Sequence, residues 1–305
     1  MFLMKSVFLK KFLTCLLLIS MFETFGQAKQ ELGEAEDLLE LLAGKIIQAE
    51  NDSSRLVLNQ QFKDILYKSL LQEVSFDYPF DSVRSLTKLT SPDKKFRIYN
   101  WNLPIGNGSN IYYGFIQLKT KGNREPVIYC LTDHSDSIPE PGFVKSDHNS
   151  WYGCRYYKMI MTKYKSKVYY TLLGWDGFSQ NISQKIIDIL WFDEHDRPFF
   201  GADIFRNTGN DHLKRIFFKY SATSSMILAY DEQVLKKNTE WNALKKQYES
   251  EDNRTKMIVC DELIPMEPQL EGLYEYYIPS SEVYNGFVFE EGFWYLYRNV
   301  DVRNK

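Results

Sequence analysis

The sequence predicts a mainly β (α+β) fold: an amino-terminal helical pair packed on a long antiparallel hairpin meander that forms a curled or barrel-like sheet. A β-propeller-like arrangement is the alternative. Three observations predict this. Apolar residues recur at helical spacing only as far as about Glu73, the period shortens to that of strands after Tyr78-Pro79, and the strands then come in pairs separated by short turn segments.

The chain opens with Lys5, Lys10 and Lys11 ahead of an apolar run from Phe12 to Phe22, followed by Thr24 and Gly26 as small residues at a cleavage site. That order is the pattern of a secretory signal, and the run is too short to cross a bilayer as a helix. The expected organisation is a signal peptide over residues 1–26, a helical segment over 27–78, and an antiparallel β domain over 79–305 carrying a charged excursion at 233–255.

In the helical segment Leu32, Leu38, Leu39, Leu42 and Ile46 form one stripe, and Leu58, Phe62, Ile65, Leu66 and Leu70 a second. Asn51-Asp52-Ser53-Ser54 between them supplies cap chemistry, so a helical hairpin is expected. The predicted strand pairs are 86–90 with 96–103, 111–119 with 126–131, 155–164 with 168–173, 185–192 with 198–205, and 214–220 with 226–230. Strands return at 256–263 and from Tyr284 to Tyr297. Ile187, Ile189 and Trp191 alternate with Ile186, Leu190 and Phe192, so this strand is apolar on both faces and has to be covered twice. In the excursion Trp241, Leu244 and Tyr248 share a helical face, which predicts a short surface helix on a long hairpin.

Charge and cysteine content narrow the function. The formal net charge is −3 for the full chain, and loss of three lysines and Glu23 with the leader makes the remainder more negative. Such a surface does not favour nucleic acid or anionic lipid. No later segment is apolar enough to span a membrane as a helix, and aspartates within the strands argue against a membrane barrel. After the leader, Cys130, Cys154 and Cys260 remain, too few for a disulfide framework and best read as small buried side chains.

Motifs of catalysis are missing from the sequence: no Gly-x-Ser-x-Gly elbow, no zincin helix, no phosphate-binding or dinucleotide glycine loop. Three clusters hold the candidate chemistry. Thr132-Asp133-His134-Ser135-Asp136 offers carboxylates beside an imidazole, with a polar loop as the plain account. Asp193, Glu194 and Asp196 flank His195 in an oxygen-rich group suited to a metal such as calcium, with a hairpin turn as the plain account. Trp175 and Asp176, followed by Gly177, place an indole and a carboxylate at a strand end, the chemistry of a platform for a hydroxylated ring; ordinary turn chemistry competes.

Trp151-Tyr152-Gly153, Tyr156-Tyr157-Lys158, the run Tyr169 to Gly177, Lys185-Ile186-Ile187-Asp188 and Phe200-Gly201 resemble a family of secreted Bacteroidota proteins to which no activity is assigned. Met226-Ile227-Leu228, Tyr230-Asp231-Glu232, Met257-Ile258-Val259 and Asp301-Val302-Arg303-Asn304 extend the resemblance over roughly the second half. It implies an exported location in the periplasm, at the outer-membrane periphery or outside the cell. The chain departs from that family's pattern where the excursion replaces a tight turn, and at Cys154, where a small apolar residue is expected.

Two function classes follow. The first is a noncatalytic envelope protein binding a small molecule, a glycan or an envelope protein partner, with no cofactor called for. The second is a hydrolase of envelope or nutrient polysaccharide using paired carboxylates, Asp176 with Asp133, brought together by folding; Asp188 is the third candidate of that kind. Export makes the first testable expectation: mass spectrometry of the native protein should find an amino terminus at or near Gln27, and an intact Met1 on cytosolic protein would contradict it.

Overall fold

The computed structural model of the protein describes residues 26–120, 125–210, 212–242 and 247–300; the expected leader through residue 25 lies outside them. The chain is mainly β, 45% strand and 22% helix. Its described residues form two compact units, one drawn from residues 26–86 with 117–120 and 125–128, and the other from 87–116 with 129–300.

The first unit contains helix α1 over residues 26–48 and helix α2, Asp52–Leu70. Asn51 ends the interval between them by accepting from the Ser54 amide at 2.9 Å, which satisfies one of the free donors at the start of α2. Leu32, Leu39, Leu42 and Ile46 of α1 are buried, as are Phe62, Leu66 and Leu70 of α2, whereas Leu38 is 43% exposed. Leu38 therefore leaves the predicted stripe: its neighbour Leu39 takes the inward position. A short 3₁₀ turn, Glu73–Asp77, follows. Glu36 is the polar centre of this unit. It is 8% exposed and accepts from Tyr78 Oη, Ser82 N and Ser82 Oγ at 2.6, 2.7 and 2.6 Å. Gln117 donates to Leu70 O at 2.9 Å and Ser75 Oγ at 2.8 Å, which fastens the 117–128 segment to the end of α2.

The second unit is built from antiparallel sheets. Strands β1 (Thr87–Thr90), β2 (Phe96–Pro104), β3 (Asn110–Leu118) and β4 (Ile128–Thr132) form a meander in chain order. The next sheet contains β5 (Ser146–Asp147), β6 (Arg155–Tyr164), β7 (Lys167–Asp176), β8 (Ile182–Phe192) and β9 (Pro198–Phe200), in the order β5-β9-β8-β7-β6. Strand β10 (Phe205–Arg206) leaves it, and β11 (Ile216–Ser221) returns to pair with β8. A third sheet has the order β10-β15-β14-β13-β12, from β12 (Leu228–Asn242), β13 (Gln247–Pro265), β14 (Tyr277–Glu290) and β15 (Phe293–Val300). Ile187, Ile189, Ile216, Ile258, Phe287 and Trp294 share a core, so one face of β8 is covered by the third sheet. Trp294 adds a buried hydrogen bond to Thr171 Oγ1 at 2.9 Å. No closed barrel forms among the described residues, and sheets of four, five and six strands lack the equal blades of a propeller.

Three predicted details change. Residues 214–220 and 226–230 do not pair with each other: β11 joins β8, while β12 joins β13. The strand predicted over 198–205 is cut at Gly201, whose φ of +83° turns the chain, and Phe205–Arg206 then lies parallel to β15. A side chain at Gly201 would also meet Val144 O at 3.1 Å. The helix expected in the 233–255 excursion is a ladder instead, with Gln233 opposite Thr255 and Trp241 opposite Tyr248; residues 243–246 are outside the described residues. Once Leu228 pairs with Cys260, each further residue pair extends an existing ladder, whereas an isolated helical turn has to be nucleated afresh.

Removing the acceptor at Glu36 tests the first unit. Glu36→Ala should cost about 2–4 kcal/mol, because three donors to one charged group lose their partner. Denaturant unfolding followed at 222 nm measures it. Tyr78, whose hydroxyl is pushed up to about 12 by burial and by Glu36, should titrate closer to 10 in the variant.

Candidate functional site

A cleft of about 830 Å³ runs along β11 in the second unit. Its lining includes the 135–143 loop, β11 itself, Tyr274 and the facing residues of β13, β14 and β15. The cleft exists because β11 is an edge strand, paired only to β8. In that pairing Lys219 stands opposite Gln184 and Phe217 opposite Ile186. Paired residues share a face, so Phe217, Lys219 and Gln184 are neighbours on one side of the sheet. Phe178 and Phe143 are 42% and 38% exposed, and Tyr274 is 43% exposed, which leaves flat apolar area on the lining.

Behind the cleft lies a buried polar network. Gln184 Nε2 donates to Asp176 Oδ2 at 2.6 Å and to Tyr152 Oη at 2.5 Å. Tyr112 Oη donates to Asp176 Oδ1 at 2.8 Å and accepts from Gly177 N at 2.9 Å. Tyr112 N donates to Asp133 Oδ2, and Asp133 Oδ1 takes Ser135 N, Ser135 Oγ and Gly153 N. Gly153 has to be glycine, since a Cβ there would lie 2.3 Å from Asp133 Cγ. A second buried cluster centres on Asp188, which accepts from Tyr156 Oη at 2.9 Å and Ile189 N at 2.8 Å. Asp188 also faces Arg215, with Nε 2.8 Å from Oδ1, close enough for an ion pair though off the line of a hydrogen bond.

Burial governs the acid–base behaviour. It pushes the Asp176 carboxyl up to about 6, with hydrogen bonds from Gln184, Tyr112 and Tyr152 pulling it back and the Asp133 charge adding to the rise. It also raises the hydroxyls of Tyr112 and Tyr152 and the thiol of Cys154, all of which feel the Asp176 charge. Cys154 is thus a buried neutral thiol, without the thiolate character a nucleophile needs.

The structure separates the residues singled out from sequence. Trp175 and Asp176 are successive residues of β7 and therefore point to opposite faces. Asp176 is 4% exposed within the network, while half-buried Trp175 pairs with the Tyr220 hydroxyl on the other side. Asp193, Glu194 and Asp196 form the β8–β9 turn. Asp193 accepts from the amides of His195 and Arg197 and from the Arg197 guanidinium, and against a desolvation penalty these bonds hold its carboxyl down to about 2. Among the described residues no group of three or more His, Cys, Asp or Glu side chains is arranged to hold a metal ion. Asp133 and Asp176 do come together, joined through Tyr112, while Asp188 sits in a separate cluster with Tyr156 and Arg215.

Gln184, Arg215, Lys219 and Phe178 were not legible as site residues. No motif marks them. One signal was present: Asp188 stands inside an otherwise apolar two-faced strand, and a charge in that position demands a buried partner, which is Arg215.

The Asp176 carboxyl predicts a pH dependence. Its value is raised on folding from 3.8 to about 6, so the native state binds the extra proton. The associated stability is fully present below pH 4 and is lost as pH rises through 6, up to roughly 3 kcal/mol. Comparing denaturation of wild type and Asp176→Asn between pH 4 and 7 should show this slope in the wild type alone; equal slopes would place the titration elsewhere.

No family model, curated protein or solved structure matches the chain, so its chemistry has to be read from its own residues.

Proposed function

We propose that this protein is exported and binds a small organic ligand, without transforming it, in the cleft along β11. The observation that carries this reading is the composition of the lining. Exposed Phe143, Phe178 and Tyr274 stand there with the partly exposed hydroxyls of Ser135 and Thr208, which donate to Asp133 and to Asn210 O and keep lone pairs for a ligand, and with the Lys219 ammonium, which no described carboxylate pairs. The cleft volume falls in the range of small-molecule sites, and exposed rings beside a few fixed polar groups are the usual composition of such sites. The amino-terminal order of lysines, apolar run and small residues supports export.

Hydrolysis by paired carboxylates has less support. Asp133, Asp176 and Asp188 are absent from the cleft lining, and each is held by donors from the protein itself. A general acid or base has to reach substrate within hydrogen-bond distance, directly or through one water.

Thermal-shift screening of the mature chain against sugars, organic acids and amino acids should yield compounds that raise the melting temperature with concentration. Phe178→Ala and Tyr274→Ala should each weaken those compounds by about 1–2 kcal/mol, since each removes an exposed wall ring. Ile47→Ala, exposed in the first unit, should leave them unchanged. Full affinity in both ring variants would remove the cleft as the site.

A further inference from the structure

We infer that the cleft takes a hydroxylated ring bearing a carboxylate, the chemistry of a uronic acid, and this rests on the cleft being a ligand site. Lys219 is half-buried on the lining, and no carboxylate among the described residues pairs with its ammonium. Two rings hold the ammonium instead, with Nζ 4.8 Å from the centre of Phe178 and 5.7 Å from that of Tyr274. Those rings fix the direction of the charge while leaving it without a counter-ion.

The same lining carries acceptors for hydroxyl groups. Ser135 Oγ and Thr208 Oγ1 are on partly exposed side chains and already donate, to Asp133 and to Asn210 O, which leaves their lone pairs for a ligand. A ligand serving these groups and Lys219 carries an anionic group and hydroxyl donors. The faces of Phe178 and Tyr274 supply the flat apolar area on which the C–H face of a hydroxylated ring stacks.

The acidic residues of the lining do not oppose this assignment. Asp261 accepts the Ile227 amide and is 5% exposed, Glu262 is bonded by Asn285, and Asp136 and Glu140 lie on the exposed part of the 135–143 loop. Arg215 of the lining is held by Asp188, and exposed Arg298 is a second lining cation, in no ion pair among the described residues, so a phosphate is the competing anion that the test includes.

Calorimetric titration of the mature chain with trigalacturonate, galacturonate, neutral galactotriose and glucose 6-phosphate tests this. Trigalacturonate or galacturonate should bind at least tenfold more tightly than galactotriose, with an advantage that shrinks between 50 and 500 mM salt. The two acidic probes distinguish a polymer segment from a free sugar acid. Lys219→Met keeps an apolar stem against the two rings and should lower affinity for the acidic sugar roughly tenfold, with galactotriose binding and melting temperature unchanged. Equal binding of acidic and neutral trimers, or an acidic preference that survives in Lys219→Met, overturns the assignment while leaving the cleft a ligand site. Preference for glucose 6-phosphate also overturns it. Absence of binding by all four probes, with ring-dependent thermal shifts from other compounds, excludes the sugar acid and not the site; absence of any ring-dependent ligand removes both.

Discussion

The Asp188–Arg215 ion pair is the interaction on which the second unit depends. Both side chains are buried, at 1% and 0% exposure, and an unpaired charge at either position would carry several kcal/mol of desolvation cost. Both terminal nitrogens of Arg215 and both oxygens of Asp188 have hydrogen-bond partners elsewhere in the protein. Arg215 donates to Pro141 O at 2.9 Å, Val144 O at 2.7 Å and Ser146 Oγ at 2.7 Å, which gathers the loop that forms one wall of the cleft. Asp188 holds Tyr156, which in turn accepts from Trp151 Nε1 at 3.0 Å. One charge pair thus joins β6, β8, the loop before β5 and the start of β11. Such a pair adds little net stability over a packed apolar substitute; what it fixes is which loop lies where.

That constraint explains why the sheet has a cleft at its edge. Strand β9 is only three residues long, and Gly201 with positive φ sends the chain away to β10 before Arg215 brings it back as β11. The detour leaves β11 with a single partner strand. Its far side is open, and the loop anchored by Arg215 and the edge of the third sheet border that opening without filling it. Buried Tyr152, Gln184 and Asp176 then make the floor rigid, since each member of the network is fixed by at least one other.

Much of the fold was legible because it is local. The cap at Asn51, the two helical stripes, and the hairpins β1–β2, β6–β7 and β8–β9 are set by residues within a few positions of one another, and period and turn chemistry report such relations directly. The failures share a cause. The pairing of β11 with β8 passes over β9 and β10, and the parallel contact of β10 with β15 joins Phe205 to Trp294 across four intervening strands, so no short window of sequence contains either. In the excursion, Trp241, Leu244 and Tyr248 satisfied a helical period by coincidence, and the ladder begun at Leu228 and Cys260 overrode it.

The site was less legible than the fold for a related reason. A network joining Tyr112, Asp133, Tyr152, Asp176 and Gln184 is a property of the pairing between strands, and its members carry no spacing that a motif could capture. Carboxylates draw attention in a sequence because they can do chemistry, yet here Asp133 and Asp176 are consumed in holding tyrosines, amides and a glutamine in place. Asp176 takes Gln184 Nε2 and the Tyr112 hydroxyl, and Gln184 Oε1 stays buried without a hydrogen bond. The carboxylate that looked catalytic thus has its partners inside the protein, and what it sets is the position of Gln184, Tyr112 and Tyr152 behind the cleft.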